Sequence, residues 1–281
     1  MNRLKCLPTN LSLTRSQSVC APCNNPMHLI CFKQWTSEMV DDIISSAINL
    51  KFSLWDTHFK KLNVLKNAKV MLLQEINEPT LNLAVSKAAS LLGATDVSIN
   101  DKLIWEYDYV GRVFSMMCDI IFVSTSTHGC VARFAEQSSV PVMCIRSRAH
   151  ASLQALATIM TIIKCPVSPL LYKVSENMTE KSHTTMKQCK HKDDVLYQAC
   201  VVIAGPATNN EEKIKEFKFG VQDIKRCNNI SKWIFFHTLP RGSEIDDELF
   251  MHNNARTFNA FNNMQYIAAA LMAKALQGHV F

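Results

Sequence analysis

Several groups of side chains in this sequence have the types and spacing that chemistry needs. Arg146 and Arg148, followed by His150, place two guanidiniums and an imidazole within five residues, a set that suits an anion. His237 and Arg241 bracket Thr238, Leu239 and Pro240, a short basic turn after an apolar run. Glu78 stands before Pro79 at a helix start, where a carboxylate satisfies free N–H groups and the helix dipole. Cys20, Cys23, His28 and Cys31 approach a zinc knuckle, since thiolates and an imidazole at short spacing can close a tetrahedron. The gap from His28 to Cys31 is too short for the usual knuckle, and Pro22 and Pro26 suit a loop, so no metal is expected. Cys130 after His128-Gly129 has a nucleophile's composition, but no base can be assigned to it, and a buried structural thiol is expected. Asp246-Asp247-Glu248 reads as a solvated turn. With 7 glycines in the chain there is no glycine-rich phosphate loop, and no cofactor is expected.

The elements that must position these residues belong to a globular chain. A length of 281 residues accommodates two domains, and 48% hydrophobic with 19% charged residues describes a sequence that folds. The longest apolar runs, such as Ile267 to Met272, fall well short of the roughly 20 residues of a membrane helix, so no membrane span is expected. The net charge of +6 is spread along the chain, which argues against a nucleic-acid partner. Eleven cysteines at irregular spacing read as reduced thiols in a reducing compartment. No acidic residue precedes Glu38, while Arg3, Lys5 and Arg15 sit among Ser, Thr and Leu, the composition of a mitochondrial transit peptide. The mitochondrial matrix is therefore the expected location, with the cytoplasm as the alternative.

A helix starts at Thr36 or Ser37, with Met39, Val40, Ile43, Ile44, Ala47 and Leu50 on one face. Strands are predicted at Lys69–Leu73, Ile120–Ser124 and Val140–Ile145, with helices from Pro79 to Gly93, Val131 to Gln137 and Ser152 to Ile163 between and after them. This spacing implies a parallel sheet covered by helices. The chain should leave the first domain near Pro166 and Pro169. A polar stretch from 175 to 194 then leads to strands at Cys200–Ala204 and Trp233–His237, a helix from Glu211 to Phe219, and a last helix around Tyr266 to Leu276.

From about Leu29 onward the chain resembles the aspartate/ornithine carbamoyltransferase family, and most of all its ornithine branch. The string Phe236-His237-Thr238-Leu239-Pro240-Arg241, with Glu244-Ile245-Asp246-Asp247-Glu248-Leu249-Phe250, is similar to the family's His-Cys-Leu-Pro-Arg signature and the acidic segment after it. Gly111-Arg112-Val113, Ser139-Val140-Pro141-Val142 and His150 with Gln154-Ala155-Leu156-Ala157 support it. The resemblance implies an α/β fold of two doubly wound parallel-sheet domains, one for carbamoyl phosphate and one for the amino acid. It also implies a homo-oligomer, a trimer with sites at subunit boundaries. On it the chain divides into a leader (1–28), a carbamoyl-phosphate-binding-like domain (29–164), a truncated ornithine-binding-like domain (165–254) and a C-terminal helix returning to the first domain (255–281). The truncation is read from the segment between Pro169 and Lys190, too short and polar to supply the family's strand, loop and helix there.

By the same resemblance, Thr80, His150, Gln154, His237, Leu239 and Arg241 match substrate-binding positions. Others depart from the pattern. The family's phosphate-binding Ser-Thr-Arg-Thr-Arg run aligns with Glu78, Pro79, Thr80, Leu81 and Asn82, so both arginines are gone and Pro79 has no N–H to give. Ser124 and Met264 stand where further arginines are expected, and Thr238 replaces the signature cysteine. The run Asp-x-x-x-Ser-Met-Gly is replaced around Gly205-Pro206-Ala207-Thr208-Asn209, and His-Pro-x-Gln becomes His150-Ala151-Ser152-Leu153-Gln154. A Glu78 carboxylate about 4 Å from a phosphate charge would cost about 1 kcal/mol in water and about 4 at an effective dielectric of 20, roughly tenfold to thousandfold in affinity.

The sequence therefore reads as an ornithine carbamoyltransferase-like protein that is inactive or impaired, with no catalytic residue expected and a small anion or amino acid as its ligand. The alternative is an active transferase with an altered substrate, or with a site completed by oligomerisation, in which Arg146 and Arg148 stand in for the lost clamp.

Overall fold

The computed structural model describes residues 26–32, 35–56, 61–76, 78–100, 107, 109–147, 150–164, 189–206, 215–228 and 232–281. Cys20, Cys23, Asn77, Arg148, Pro166, Pro169 and most of the leader lie outside the described residues.

The first helix among the described residues is α1 (Ser37–Asp56), where Thr36 Oγ1 accepts from the Met39 N–H at 3.4 Å, as its type at a helix start predicts. β1 (Lys69–Gln74), α2 (Pro79–Leu92) and β2 (Thr95–Asn100) follow. Proline begins α2, and Gly93 ends it at φ +78°, a conformation that disfavours any Cβ. Next come α3 (Val110–Ser115), β3 (Ile120–Ser124), α4 (His128–Gln137), β4 (Val142–Arg146) and α5 (Ser152–Lys164). The four strands form a parallel sheet in the order β2-β1-β3-β4.

Strand alternation builds two cores. Val70 and Leu72 of β1 face α1, α2 and α5, whereas Met71 and Leu73 face α3 and α4 through Phe114, Val131 and Phe134. Both faces are covered, which is why β1 and β3 are continuous apolar runs. β2 has no such run. It is an edge strand with Val97 exposed, and its Thr-Asp-Val-Ser-Ile-Asn composition gave no strand signal.

The second sheet is small: among the described residues it pairs β5 (Val201–Ala204) with β6 (Ile234–His237) in parallel. Short helices α6 (Lys192–Leu196) and α7 (Val221–Cys227) cover one face, with Leu196, Val202, Val221, Ile224 and Phe235 in its core. Of the helix expected over Glu211–Phe219, residues 215–217 are helical and 211–214 lie outside the described residues, so the helix ends two residues earlier than expected. Phe219 is in a bridge to Ile245, and α7 begins only after Gly220, where a Cβ would collide with the Asp246 carboxylate. After β6 come α8 (Asp247–Phe250), capped by Asp246 Oδ1 accepting from the Leu249 N–H at 2.7 Å, and α9 (Thr257–Gln277).

α9 is much longer than the expected Tyr266–Leu276, because its first turns run past β6 before it reaches the first core. Ala268, Ala269, Ala270 and Ala273 are fully buried there, so α9 packs close against α1, α2 and α5. A larger side chain at any of these would overpack the site at about 1–3 kcal/mol.

Candidate active-site crevice

Two strand ends carry the residues singled out by the sequence. The first is the carboxyl end of the larger sheet. The chain leaves β1 toward β2 and leaves β3 toward β4, and α2 and α4 cover opposite faces. A crevice must open between β1 and β3, the place where open α/β sheets bind ligands.

Glu75, just past β1, spans this crevice. Its carboxylate accepts from the Ser126 N–H at 3.2 Å, from Ser126 Oγ at 3.1 Å and from Thr125 Oγ1. Glu78 is the helix-start residue of α2, but its side chain makes no cap, contrary to the sequence expectation. Its Oε1 lies 2.5 Å from Arg146 Nη1 at the end of β4. The reason is competition: a cap is worth about 1 kcal/mol, whereas a charge-assisted bond to a guanidinium is worth about 1.5–3. A register shift between Val123 and Ser124 sets Ser124 opposite Arg146, which brings the guanidinium to this end of the sheet.

The rest of that first turn is divided between solvent and protein. Pro79 and Thr80 are exposed, Leu81 is buried in the larger core, and Asn82 Oδ1 accepts from Ser98 Oγ at 3.2 Å. Ser124 is buried, with Oγ donating to the Ile76 carbonyl at 3.4 Å. Met264 is buried in the core that α9 shares with α1, α2 and α5. His150 packs edge-on against His128, ring centroids 4.4 Å apart, and Ser147 Oγ meets both the His128 Nδ1 at 3.2 Å and the His150 N–H at 3.1 Å. Burial, and then His150, push the His128 imidazole below its ordinary value.

The second strand end is that of β6. His237 is buried, and its Nδ1 accepts from the Leu239 N–H at 2.9 Å, so the ring proton is on Nε2, which donates to Glu244 Oε1 at 2.8 Å. Glu244 also takes the Gly242 N–H, at 2.8 and 3.0 Å to its two oxygens. Burial pushes His237 below the ordinary imidazole value, Glu244 draws it partly back, and Arg241 opposes its charge. For Glu244, burial alone would raise the carboxyl, but the backbone N–H groups of Gly242 and Glu244, with His237, hold it below the usual range. Arg241 pairs with Asp247 and lies 4.9 Å from the Phe250 ring centroid. From α5, Gln154 Nε2 donates to the Thr238 carbonyl at 3.1 Å, tying the turn to the larger domain.

The structure thus gathers Gln154, His237, Thr238, Leu239 and Arg241 at one turn, and Glu78, Pro79, Thr80, Leu81, Asn82, Ser124 and His150 around the other strand ends. The family description "Aspartate/ornithine carbamoyltransferase, carbamoyl-P binding domain" matches residues 27–164, and its partner description, "Asp/Orn binding domain", matches 149–275. The chain belongs to the aspartate/ornithine carbamoyltransferase family. The ornithine carbamoyltransferase of Prochlorococcus marinus (strain MIT 9312) is 24% identical to it, with 90% of this chain and 97% of that relative aligned. Among solved structures, the ornithine carbamoyltransferase from Pyrococcus furiosus superposes with a TM-score of 0.79 at 18% identity, covering 92% of this chain and 99% of that one. A mitochondrial ornithine carbamoyltransferase from Coccidioides immitis gives the same score and identity, covering 92% and 100%. The family fold of two parallel-sheet domains is therefore present, with the second sheet small.

Sequence reasoning missed Glu244 as a site residue, although it stands within the signature string, because the seven-residue return to His237 is made by the turn. It missed Glu75, His128 and Ser147 for the same reason: Glu75 meets Thr125 and Ser126 across the crevice, and His128 meets Ser147 beyond the ends of β3 and β4. Cys130 is half-buried rather than buried, and accepts from Arg133 Nη2 at 3.7 Å. Among the described residues Cys118 and Cys144 are the buried thiols, pushed up to about 12 and about 11 chiefly by burial. His28 serves structure, its Nδ1 accepting from the Val142 N–H at 3.2 Å. No helix among the described residues is long and apolar enough to cross a membrane, and no cluster of three or more potential metal ligands occurs among them.

Proposed function

We propose that this chain is an ornithine carbamoyltransferase-like protein whose transfer activity is lost or impaired. The family reaction moves the carbamoyl group of carbamoyl phosphate onto the ornithine amine, giving citrulline and phosphate. A clamp for that dianion needs cations and N–H groups that are not already engaged. The observation that carries the reading is the Glu78–Arg146 ion pair at the start of α2. A guanidinium near the phosphate position is neutralised by a carboxylate beside it, Pro79 offers no N–H, and Thr80 and Asn82 stand where the family has arginines. Losing two charge-assisted contacts of about 1.5–3 kcal/mol each removes most phosphate affinity.

In this reading residues 1–28 are a leader to the mitochondrial matrix and 29–164 the degenerate carbamoyl-phosphate domain. Residues 165–254 are a shortened ornithine domain, 255–281 return to the first domain, and the assembly is a homotrimer binding a small anion or amino acid. Arg146 favours a second reading, a transferase of altered substrate or one completed by oligomerisation, if a ligand displaces Glu78 from it. Calorimetric titration with carbamoyl phosphate, together with a citrulline assay on the purified oligomer, separates the two. The expected result is no binding at millimolar ligand and no citrulline. Turnover in the ordinary enzyme range of about 1–1000 per second overturns the reading.

A further inference from the structure

We infer that the turn from His237 to Glu244 is a proton-operated latch, in which protonation of His237 releases the backbone of Leu239. Both ring nitrogens are engaged in the neutral form, Nδ1 as acceptor from Leu239 and Nε2 as donor to Glu244. The only place for a second proton is Nδ1. Once it is there, two N–H groups face each other, and a hydrogen bond becomes a repulsion. The Glu244 side has no reason to open, because its carboxylate pairs better with an imidazolium and stays anchored by the Gly242 N–H. Leu239 is the side that gives way. Its φ of +46° is unfavourable for a residue with a Cβ and relaxes once the bond holding it is gone.

The charges around the ring are few. Glu244 favours the imidazolium; Arg241 opposes it, though the Arg241 guanidinium is itself paired with Asp247 of α8. α9 contributes the Thr257 hydroxyl, which accepts from the His237 N–H at 2.9 Å, and α8 the Phe250 ring, edge-on at 6.3 Å. α5 contributes the neutral Gln154, bonded to the adjacent Thr238 carbonyl. Buried and held between these groups, the ring titrates below the ordinary histidine range, so the latch is closed at neutral pH and opens in acid. It goes beyond the proposed loss of transfer activity, since it rests on hydrogen bonds in the second domain alone.

Hydrogen exchange of the full-length protein tests it. Between about pH 7.5 and about pH 5.5, the protection factor of the Leu239 amide should fall by about tenfold while that of Phe235 in β6 holds. In His237→Gln, whose amide can accept from Leu239 and donate to Glu244 without titrating, protection at Leu239 should not depend on pH. Unchanged protection in the wild type, or the same pH response in His237→Gln, overturns the latch. If that variant does not fold, an NMR titration of the wild-type His237 ring replaces it. Its midpoint must coincide with the loss of Leu239 protection, and a mismatch overturns the proposal equally.

Discussion

The carboxyl ends of β1 and β6 differ in what their polar side chains hold together. At the start of α2, just past β1, three side chains are held by the protein, Glu78 pairing with Arg146, Leu81 entering the core and Asn82 meeting Ser98, while Pro79 and Thr80 are exposed. At β6 the signature turn is nearly intact, and its histidine and glutamate are bonded to the turn itself. Residues that bind only a ligand can change without cost to the fold. Residues that also satisfy buried backbone and side-chain groups cannot, because a lost partner leaves a buried group unpaired. On this comparison the bonds of His237 are ones that the folded turn itself requires, whether or not a ligand binds there.

The comparison breaks most readily at α2. Glu78→Ser combined with Thr80→Arg and Asn82→Arg frees Arg146 and restores two guanidiniums, so phosphate or carbamoyl phosphate should bind at least about a hundredfold more tightly, read by calorimetry. No gain would mean that the deficit lies elsewhere in the crevice. Glu78→Gln alone should give a smaller gain, about tenfold, because it removes only the competing charge.

A smaller effect is expected at β6. His237→Ala removes a buried ring and leaves Glu244 and the Leu239 N–H without their partner, which should cost about 2–4 kcal/mol and lower the melting midpoint by several degrees. That loss should be the same with and without millimolar carbamoyl phosphate, since only a ligand that binds the native state adds stability. A ligand-dependent difference would place live chemistry at the turn.

The smallest effect is on acid stability. The folded His237 binds its proton below the ordinary value of 6.5, so on acidification the unfolded chain is protonated first. The stability of the neutral ring is complete above pH 6.5 and is lost as pH falls through the lower folded value. His128 shifts in the same direction, and Glu244 acts likewise below its ordinary 4.5. Thermal melts should therefore fall from pH 7 to about pH 5.5, and less steeply in His237→Gln. Equal slopes would assign the whole effect to other groups.

Most of the fold was legible because its strands and helices carry strong local signals. β1, β3, β4 and β6 are apolar runs, α2 is bracketed by proline and glycine, and α5 and α9 have clear apolar periodicity. β2 was not legible, since an edge strand needs no apolar run and is held by main-chain pairing to β1. Nor was the start of α7, which depends on the close approach of Asp246 to Gly220.

The site divides the same way. Residue types alone disclosed the signature turn and the proline at the helix start, because these are facts about which donors and charges the chain possesses. The partners were decided by the tertiary structure. Whether Glu78 caps its own helix or reaches Arg146 depends on where β4 ends. Whether His237 faces a ligand or Glu244 depends on how the turn closes. Hydrogen bonds and ion pairs act over about 3–4 Å between groups 7 to 68 residues apart in the chain, and only folding sets those distances.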